Sequence, residues 1–582
     1  MTDKSPTRRI LFWLPLSILI VLSGTVKTLH AQTTTQQPNL PPPQNIQPPT
    51  PQPQPLPQLP QRQPLPELLP PQQPTLPSEE ELPSKPTERV TVKHFEIVGS
   101  TVFSEEELAK AVSNFLNRQL DIADLYEARS RITNLYIRNG YIASGAYIPP
   151  QEISPGSGVV KIQVVEGKLE SIKITGTRRL SPNYVRDRLK LNTTGPVNEK
   201  RLLDALQLLQ NNPLIKRLSA ELSPGEKLNT AVLTVNIEEA DTFNTQIILD
   251  NGRSPSVGSF RRRLQVTETN LLGVGDGLSV GYTNTDGSNL FDASYTIPIN
   301  PRDGTISFTY GTSAANVVEE PFDILDIQAE SRQYELTYRQ PIVRTSNQEF
   351  ALGITASRKE SEASYVDFEI GRIPFPSDGA DDKGNTRVSA LRFFQEWVSR
   401  NNREVFGVRS QFNVGLDAFD ATINSDRADS RFFSWQGLAQ WLRLLARDTL
   451  MLLRLNTQLA TTTLLPLEQF GAGGVDSVRG YRQDFFLVDN GVFASAEVQV
   501  PILRAGGTLQ MIPFADFGFG WNAGTENPDS NMLASVGLGL QWRGGDFNAR
   551  IDWGIPLVPI DSSDRRTWQE NGILFSIQYN AF

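Results

Sequence analysis

Cysteine is absent from this chain of 582 residues. Its absence excludes disulfides, iron–sulfur clusters and thiol catalysis, and suits a polypeptide that crosses an oxidising compartment before folding. Histidine is nearly absent, with only His30 and His94. His30 is expected to leave with the N-terminal segment, and one remaining imidazole cannot build a zinc site that needs two or three; His94 sits in a strand-like stretch, Val90 to Val98, where a structural role is expected. No metal, cofactor or catalytic residue is expected. Basic excess is missing too: the formal net charge is −9, so no overall positive field exists to hold nucleic acid. Beyond the N-terminus no apolar run is long enough for a membrane helix, and charged residues make up 20% of the chain. If the chain lives in a membrane, it does so as a barrel of strands.

What is present begins with an export address. Lys4, Arg8 and Arg9 precede an apolar run from Ile10 to Leu22 that Pro15 interrupts, and Leu29-His30-Ala31 offers a cleavage site before Gln32. Residues 1–31 are thus expected to be a signal peptide. Residues 32–88 are dominated by Pro, Gln and Leu, as in Leu40-Pro41-Pro42-Pro43-Gln44. Such a composition sustains neither helix nor sheet, so an extended tether is expected.

From Val90 the composition becomes globular. Ser104 and Glu107 are spaced as a capping box, and Leu108, Val112 and Phe115 follow at helical spacing. A second helix carries Leu125, Ala128, Ile132 and Leu135 and stops at Gly140. Strands at Tyr147 to Gln151 and Val159 to Val165 close a β-α-α-β-β unit. The order then recurs: a strand from Leu169, a helix from Ser181, a helix capped by Asn198, and strands from Leu214 and Ala231. Two copies of one small α+β unit, 89–167 and 168–241, read as a modular arm.

Beyond Phe243 the helical period disappears and alternation takes over. Phe406, Val408, Phe412, Val414 and Leu416 oppose Gly407, Arg409, Gln411, Asn413 and Gly415. Ala549, Ile551, Trp553 and Ile555 oppose Asn548, Arg550, Asp552 and Gly554. A soluble sandwich alternates as well. Strand lengths near a membrane span, short turns such as Pro301-Arg302-Asp303-Gly304 against long polar loops such as Lys359 to Thr386, and the aromatic terminus Phe582 favour the membrane. About 340 residues at ~21 per strand and connection give roughly sixteen strands. The expected fold is mainly β: a ~16-stranded transmembrane antiparallel barrel over 242–582, preceded by two α+β domains.

One loop, from about Thr462 to Asn490, stands apart. It contains Gly473-Gly474-Val475-Asp476-Ser477-Val478-Arg479-Gly480-Tyr481. Two strands later comes Phe514-Ala515-Asp516-Phe517-Gly518, where alternation sends Phe517 and Phe519 to lipid and Asp516, Gly518 and Gly520 to the lumen. These segments resemble the two-partner secretion transporters, the ShlB/FhaC/HecB haemolysin secretion/activation type, within the superfamily that includes barrel-assembly insertases. Val478, Arg479, Gly480 and Tyr481 look like the family's pore-loop motif, and Phe514, Asp516 and Gly518 like its barrel-wall motif. The resemblance implies that the loop folds back into the pore and that Arg479 pairs with Asp516. It also implies that the arm units are POTRA domains, on Gly140, Tyr141, Pro149, Pro150, Gln151, Glu166 and Gly167.

The implied activity is nucleotide-free export of an extended exoprotein, haemolysin- or adhesin-like, by a monomeric barrel in outer-membrane lipid with its arm in the periplasm. In a wet lumen, a pair at ~4 Å has a gross attraction of about 4 kcal/mol. Hydration leaves ~1 kcal/mol, a latch that holds a loop without locking it. Two departures stand out. Residues 32–88 are too rich in proline for the plug helix that family members often carry. Tyr579 and Phe582 are three apart, so a bulge is expected in the last strand. The competing readings are a barrel-assembly insertase, which shares the loop and arm, and a barrel-embedded hydrolase, which His94 alone does not equip.

Overall fold

The computed structural model describes residues 89–151, 158–227, 229–559 and 567–581. The expected signal peptide, the expected tether and Phe582 fall outside them.

The first arm unit consists of β1 (Val90–Val92), β2 (His94–Val98), α1 (Glu105–Val112), β3 (Arg118–Leu120), α2 (Ile122–Arg138), β4 (Gly145–Tyr147) and β5 (Val159–Val165). Both helices start at reciprocal caps. Ser104 Oγ accepts from the Glu107 amide while the Glu107 carboxylate accepts from the Ser104 amide, and Asp121 and Asp124 repeat the arrangement on α2. Such a cap stabilises a helix by about 1 kcal/mol. Leu108 and Val112 of α1 and Ala128, Ile132 and Tyr136 of α2 pack on Phe95, Val160, Ile162 and Val164. The stretch Val90 to Val98, which reads as one strand, is two. The amides of Lys93 and His94 both donate to Gly158 O, which bends the chain and sends β1 to β3 and β2 to β5.

The second unit repeats the plan with β6 (Lys168–Thr175), α3 (Pro182–Asn192), α4 (Glu199–Gln210), β7 (Ile215–Pro224) and β8 (Thr230–Glu239). In each unit the last strand is central, with a parallel neighbour on one side and an antiparallel one on the other. The units are joined through a helix end: Asn198 Nδ2 and the Glu199 amide, at the start of α4, donate to Asn139 O and Gly140 O, at the end of α2.

The barrel begins with β9 (Phe243–Asp250), β10 (Arg261–Glu268), β11 (Gly277–Asn284), β12 (Ser288–Pro298), β13 (Thr305–Asn316), β14 (Gln328–Arg344) and β15 (Gln348–Asp367). A short β16 (Gly371–Pro374) folds back on the end of β15. Then come β17 (Asn385–Arg400), β18 (Glu404–Leu416), β19 (Phe433–Ala446) and β20 (Thr449–Ala460). Within the next connection, β21 (Phe470–Ala472) and β22 (Phe486–Val488) pair as a hairpin of their own. The wall resumes with β23 (Asn490–Arg504), β24 (Thr508–Trp521), β25 (Met532–Gly544), β26 (Phe547–Pro556) and β27 (Ile573–Asn580). Sixteen antiparallel strands close the ring, with β27 pairing to β9 and with β16, β21 and β22 outside the count.

One local feature departs from the sequence expectation. Lys359 to Thr386 is not simply a loop. β15 stays paired with β14 through Ser364, and Lys359, Glu360 and Glu362 occupy ordinary rungs of that ladder. Charged side chains are compatible with such a strand where it lines the lumen or rises past the lipid. The bulge expected between Tyr579 and Phe582 ends on a residue outside those described; up to Tyr579, β27 keeps unbroken register with β26 from Ile573.

The ring shows the inverted polarity of a membrane barrel. Phe517, Phe519, Ile551, Trp553 and Ile555 are exposed on the outside, while their neighbours Asp516 and Asp552 are 4% and 3% exposed on the inside. The closing seam is the shortest ladder of the wall, five pairs from Ser576↔Asp250 to Asn580↔Gln246. Asn251 extends it: its Nδ2 donates to Ile573 O, its Oδ1 accepts from the Phe575 amide, and its own amide donates to Phe575 O.

The second arm unit is bound to the turns at the arm end of the barrel. Arg188 and Arg344 both pair with Asp303 in the β12–β13 turn. Arg179 pairs with Glu268 at 3.2 Å, and the Ser181 amide donates to Gly273 O at 2.8 Å.

Candidate functional site

The long connection between β20 and β23 turns into the barrel. Phe470, Ala472, Val478, Tyr481, Phe486 and Val488 form a buried apolar cluster that includes Phe493 and Leu533 of the wall. Glycines on the wall make room for it. A Cβ on Gly518 would lie 2.9 Å from Val478 Cγ2, and one on Gly554 would lie 2.6 Å from the Gly480 amide nitrogen. Gly480 itself has φ of +98°, a conformation that L side chains rarely adopt.

At the tip, Arg479 is 1% exposed. Its Nε and Nη2 donate to the two carboxylate oxygens of Asp516 at 2.7 and 2.8 Å, a bidentate pair that the Arg479 amide reinforces at 3.1 Å. Its Nη1 donates to Glu497 at 3.0 Å, and its guanidinium carbon lies 3.5 Å from the Phe514 ring centroid. Glu497 also accepts from Arg550, which in turn holds Asp552 through two bonds of 2.7 and 3.0 Å. Ser495 bridges by donating to Asp516 at 2.7 Å. Tyr481 OH donates to Ala534 O at 2.8 Å. Arg482 reaches Glu319 and Glu570, in two other connections on the side away from the arm.

The structure therefore brings Val478, Arg479, Gly480 and Tyr481 against Phe514, Asp516 and Gly518. It differs from the sequence picture in one respect. The pair is dry and shared among three carboxylates, so it is not the hydrated contact of ~1 kcal/mol. Breaking such a buried pair from one side costs about 3–5 kcal/mol. Glu497, Arg550 and Asp552 were not singled out from sequence. Their inward parity was legible, but every lumen residue shares it.

A second ionic cluster holds the stem of the loop. Glu468 forms a bidentate pair with Arg392 of β17, at 2.7 and 2.9 Å, and meets Lys359 of β15 at 3.0 Å. Asp489 ties the two legs together, accepting from the Leu464 amide and from Gln469 Nε2. No sequence signal short of the fold connects these residues.

The arm residues are placed differently. Gly140 ends α2 with φ of +85° and contributes a carbonyl to the joint with α4. Tyr141 packs edge-on against Tyr136 and Phe103. Pro149 and Pro150 follow β4, and Gln151 then turns its side-chain amide onto the backbone of Lys161, donating to its carbonyl and accepting from its amide, both at 2.8 Å. Gln151 thus occupies the side of β5 that β4 leaves uncovered. Gly167 lies where a Cβ would strike Ala143 O.

Glu166 accepts from the Thr101 hydroxyl and amide, the Val102 amide and Tyr136 OH. Burial opposes its ionisation, but these donors outweigh burial and hold the carboxyl below its ordinary value. A lowered folded value gives stability that is present above the unfolded value, ~4.3, and lost as pH falls through the folded one. Glu166→Gln is expected to cost about 1 kcal/mol near pH 7 after solvent screening. The cost should vanish in acid. Hydrogen exchange of the 100–103 turn in the full chain, corrected for intrinsic rate, measures it; a cost independent of pH would contradict the assignment.

A closed barrel whose own long loop turns inward and is ion-paired to the wall, with a two-unit arm at one mouth, fits an outer-membrane transporter of polypeptides. The sequence comparisons place it within that class. The haemolysin secretion/activation protein ShlB/FhaC/HecB model matches residues 229–542, just over half of the chain. The ShlB-type POTRA model matches 90–167, and the surface antigen variable number repeat POTRA model matches 168–240. The chain belongs to the ShlB/FhaC/HecB family, and is an outer-membrane transporter of the two-partner secretion type with periplasmic POTRA domains.

The heme/hemopexin transporter protein HuxB of Haemophilus influenzae is 25% identical over 485 residues, covering 79% of this chain and 82% of HuxB. The solved structure of CdiB from Escherichia coli shares the fold at TM-score 0.65 and 19% identity, covering 87% of this chain and 93% of that one. The outer membrane protein assembly factor BamA of Nitratidesulfovibrio vulgaris is 22% identical over 407 residues, and the match covers 48% of its length.

Proposed function

We propose that this transporter exports one or a few large exoproteins, haemolysin- or adhesin-like, which the periplasmic arm receives as extended chains and passes through the lumen when the tip of the inward loop leaves the wall. The observation that carries this reading is the loop itself: Arg479 at its tip is joined to Asp516 and Glu497 across the lumen side of β23 and β24. A porin that passes only solutes has no use for an arm, and a gate held by ion pairs suits a cargo large enough to displace it.

In this reading residues 1–31 direct export, 32–88 tether, 89–167 and 168–241 recognise, and 242–582 conduct. The monomer sits in outer-membrane lipid and uses no nucleotide, no metal and no catalytic residue. Reception falls to β2. Gln151 covers β5 beside β4, and β2 is the other edge of the first unit's sheet, open to β-augmentation by an extended chain. Val478, Gly480 and Tyr481 set the tip, Phe514 and Gly518 receive it, and Gly140, Tyr141, Pro149, Pro150, Gln151, Glu166 and Gly167 give the arm its shape.

Comparative proteomics of medium and outer membrane separates this from an insertase. Deleting the gene is expected to remove one or a few large proteins from the medium while other barrels persist. General depletion of outer-membrane barrels would instead favour the insertase, a reading to which the match with BamA lends some support.

A further inference from the structure

The inward loop is fastened at two places, and the two differ in the charge each would leave behind. At the stem, Glu468 is, among the described residues, the single carboxylate bonded to Arg392 and Lys359. The side chains of all three are nearly buried, at 3%, 8% and 13% exposure. The other side-chain partners of Arg392 are Ser357 Oγ and Asn413 Oδ1, which are neutral, and the other acceptor for Lys359 is Leu467 O on the loop itself. Withdrawing Glu468 would leave two cations facing each other without their carboxylate, the costly case for buried charge. At the tip the balance is different. If Arg479 withdraws, Asp516 loses its guanidinium but keeps the Ser495 hydroxyl as a donor, and Arg550 still holds both Glu497 and Asp552, so only one of the three carboxylates is left without a cation bonded to it.

Between the two fastenings lies a pair of glycines. Gly473 and Gly474 have φ of +108° and +98°, directly after the β21–β22 hairpin strand that continues from the stem. The stem is knit further by Gln458 Nε2, which donates to Glu468 O and Asp489 O.

We propose that Glu468, Arg392 and Lys359 form the fixed anchor of the inward loop, so that residues 475–485 swing about Gly473 and Gly474 during export while the stem stays bound to β15 and β17. This rests on the reading that the tip must leave the wall for cargo to pass. Glu468 is then a positioning residue for transport: it fixes the pivot and touches no cargo.

The lack of native cysteine makes the test clean. A tip lock pairs Val478→Cys with Gly518→Cys, where Val478 Cγ2 already lies 2.9 Å from the Cβ position of residue 518. A stem lock pairs Asp429→Cys with Leu464→Cys, which are partners in an isolated β-bridge. The readout is the amount in the medium of those exoproteins that disappear in the deletion strain. The oxidised tip lock should cut export about tenfold or more, reversibly with reductant, whereas the oxidised stem lock should leave it within about twofold of wild type. Glu468→Gln should lower export about tenfold, and adding the oxidised stem lock to it should restore most of that loss, because a covalent tether replaces the anchor.

Loss of export with the stem lock alone would overturn the fixed anchor. Failure of the stem lock, oxidised only after the barrel has assembled, to rescue Glu468→Gln would overturn the role of Glu468, since a defect in folding is not repaired at that stage. Export undiminished by the oxidised tip lock would instead sink the reading beneath the proposal.

Discussion

Arg479→Ala is expected to cut export about tenfold or more while the barrel still assembles. The guanidinium is bonded to Asp516 and Glu497 and rests on Phe514. Its loss leaves Asp516 with Ser495 as its only remaining side-chain partner across the β23–β24 ladder. At about 3–5 kcal/mol for breaking a buried pair from one side, docking of the tip weakens by roughly two to four orders of magnitude. A gate that cannot close is as unfit as one that cannot open, so steady ion conductance in planar bilayers should rise as export falls. Arg479→Lys should recover little, because an ammonium cannot make the bidentate contact. Export at the wild-type level from Arg479→Ala would remove the pair from the mechanism.

Gly554→Val separates shape from charge. All the charged groups remain, but a Cβ at 554 would sit 2.6 Å from the Gly480 amide and 2.7 Å from the Arg479 carbonyl carbon. Both are backbone atoms and cannot step aside as a flexible side chain can. Overpacking of this kind costs about 1–3 kcal/mol. The variant should therefore share the raised conductance and lowered export of Arg479→Ala in milder form. Combining the two should add little, since each removes the same docked state. Full additivity would mean that Gly554 acts elsewhere, for instance on the β25–β26 ladder.

How much of this was legible in the sequence follows from the range over which each pattern is written. Helix caps at Ser104 and Asn198 and the alternation through Phe547–Pro556 are local, and the elements formed there. Alternation also gave the inward face of Asp516, and motif resemblance gave its partner. Glu468 was invisible because its contacts lie 76 and 109 residues away, on strands whose convergence depends on closing sixteen strands into one ring. Glu497, Arg550 and Asp552 share the lumen parity with many residues, and only register brings them to one point. The dryness of the Arg479 site was misjudged for a related reason. A Gly-rich polar connection reads as solvated, whereas Val478 and Tyr481 beside Arg479 bury it. The charged run at Lys359 to Glu362 reads as loop on its polarity, yet it continues β15.

The central claim is that the loop tip leaves the wall when cargo passes. Val478 is completely buried in the docked loop, and a chain without native cysteine permits a single reporter at that position. Cells carrying Val478→Cys can be treated with a membrane-impermeant maleimide, once while exporting and once after deletion of the exoprotein that depends on this transporter. The account predicts labelling in exporting cells and protection in cells without cargo. Equal protection in both would mean that the tip stays on the wall throughout, and the gate described here would not be one.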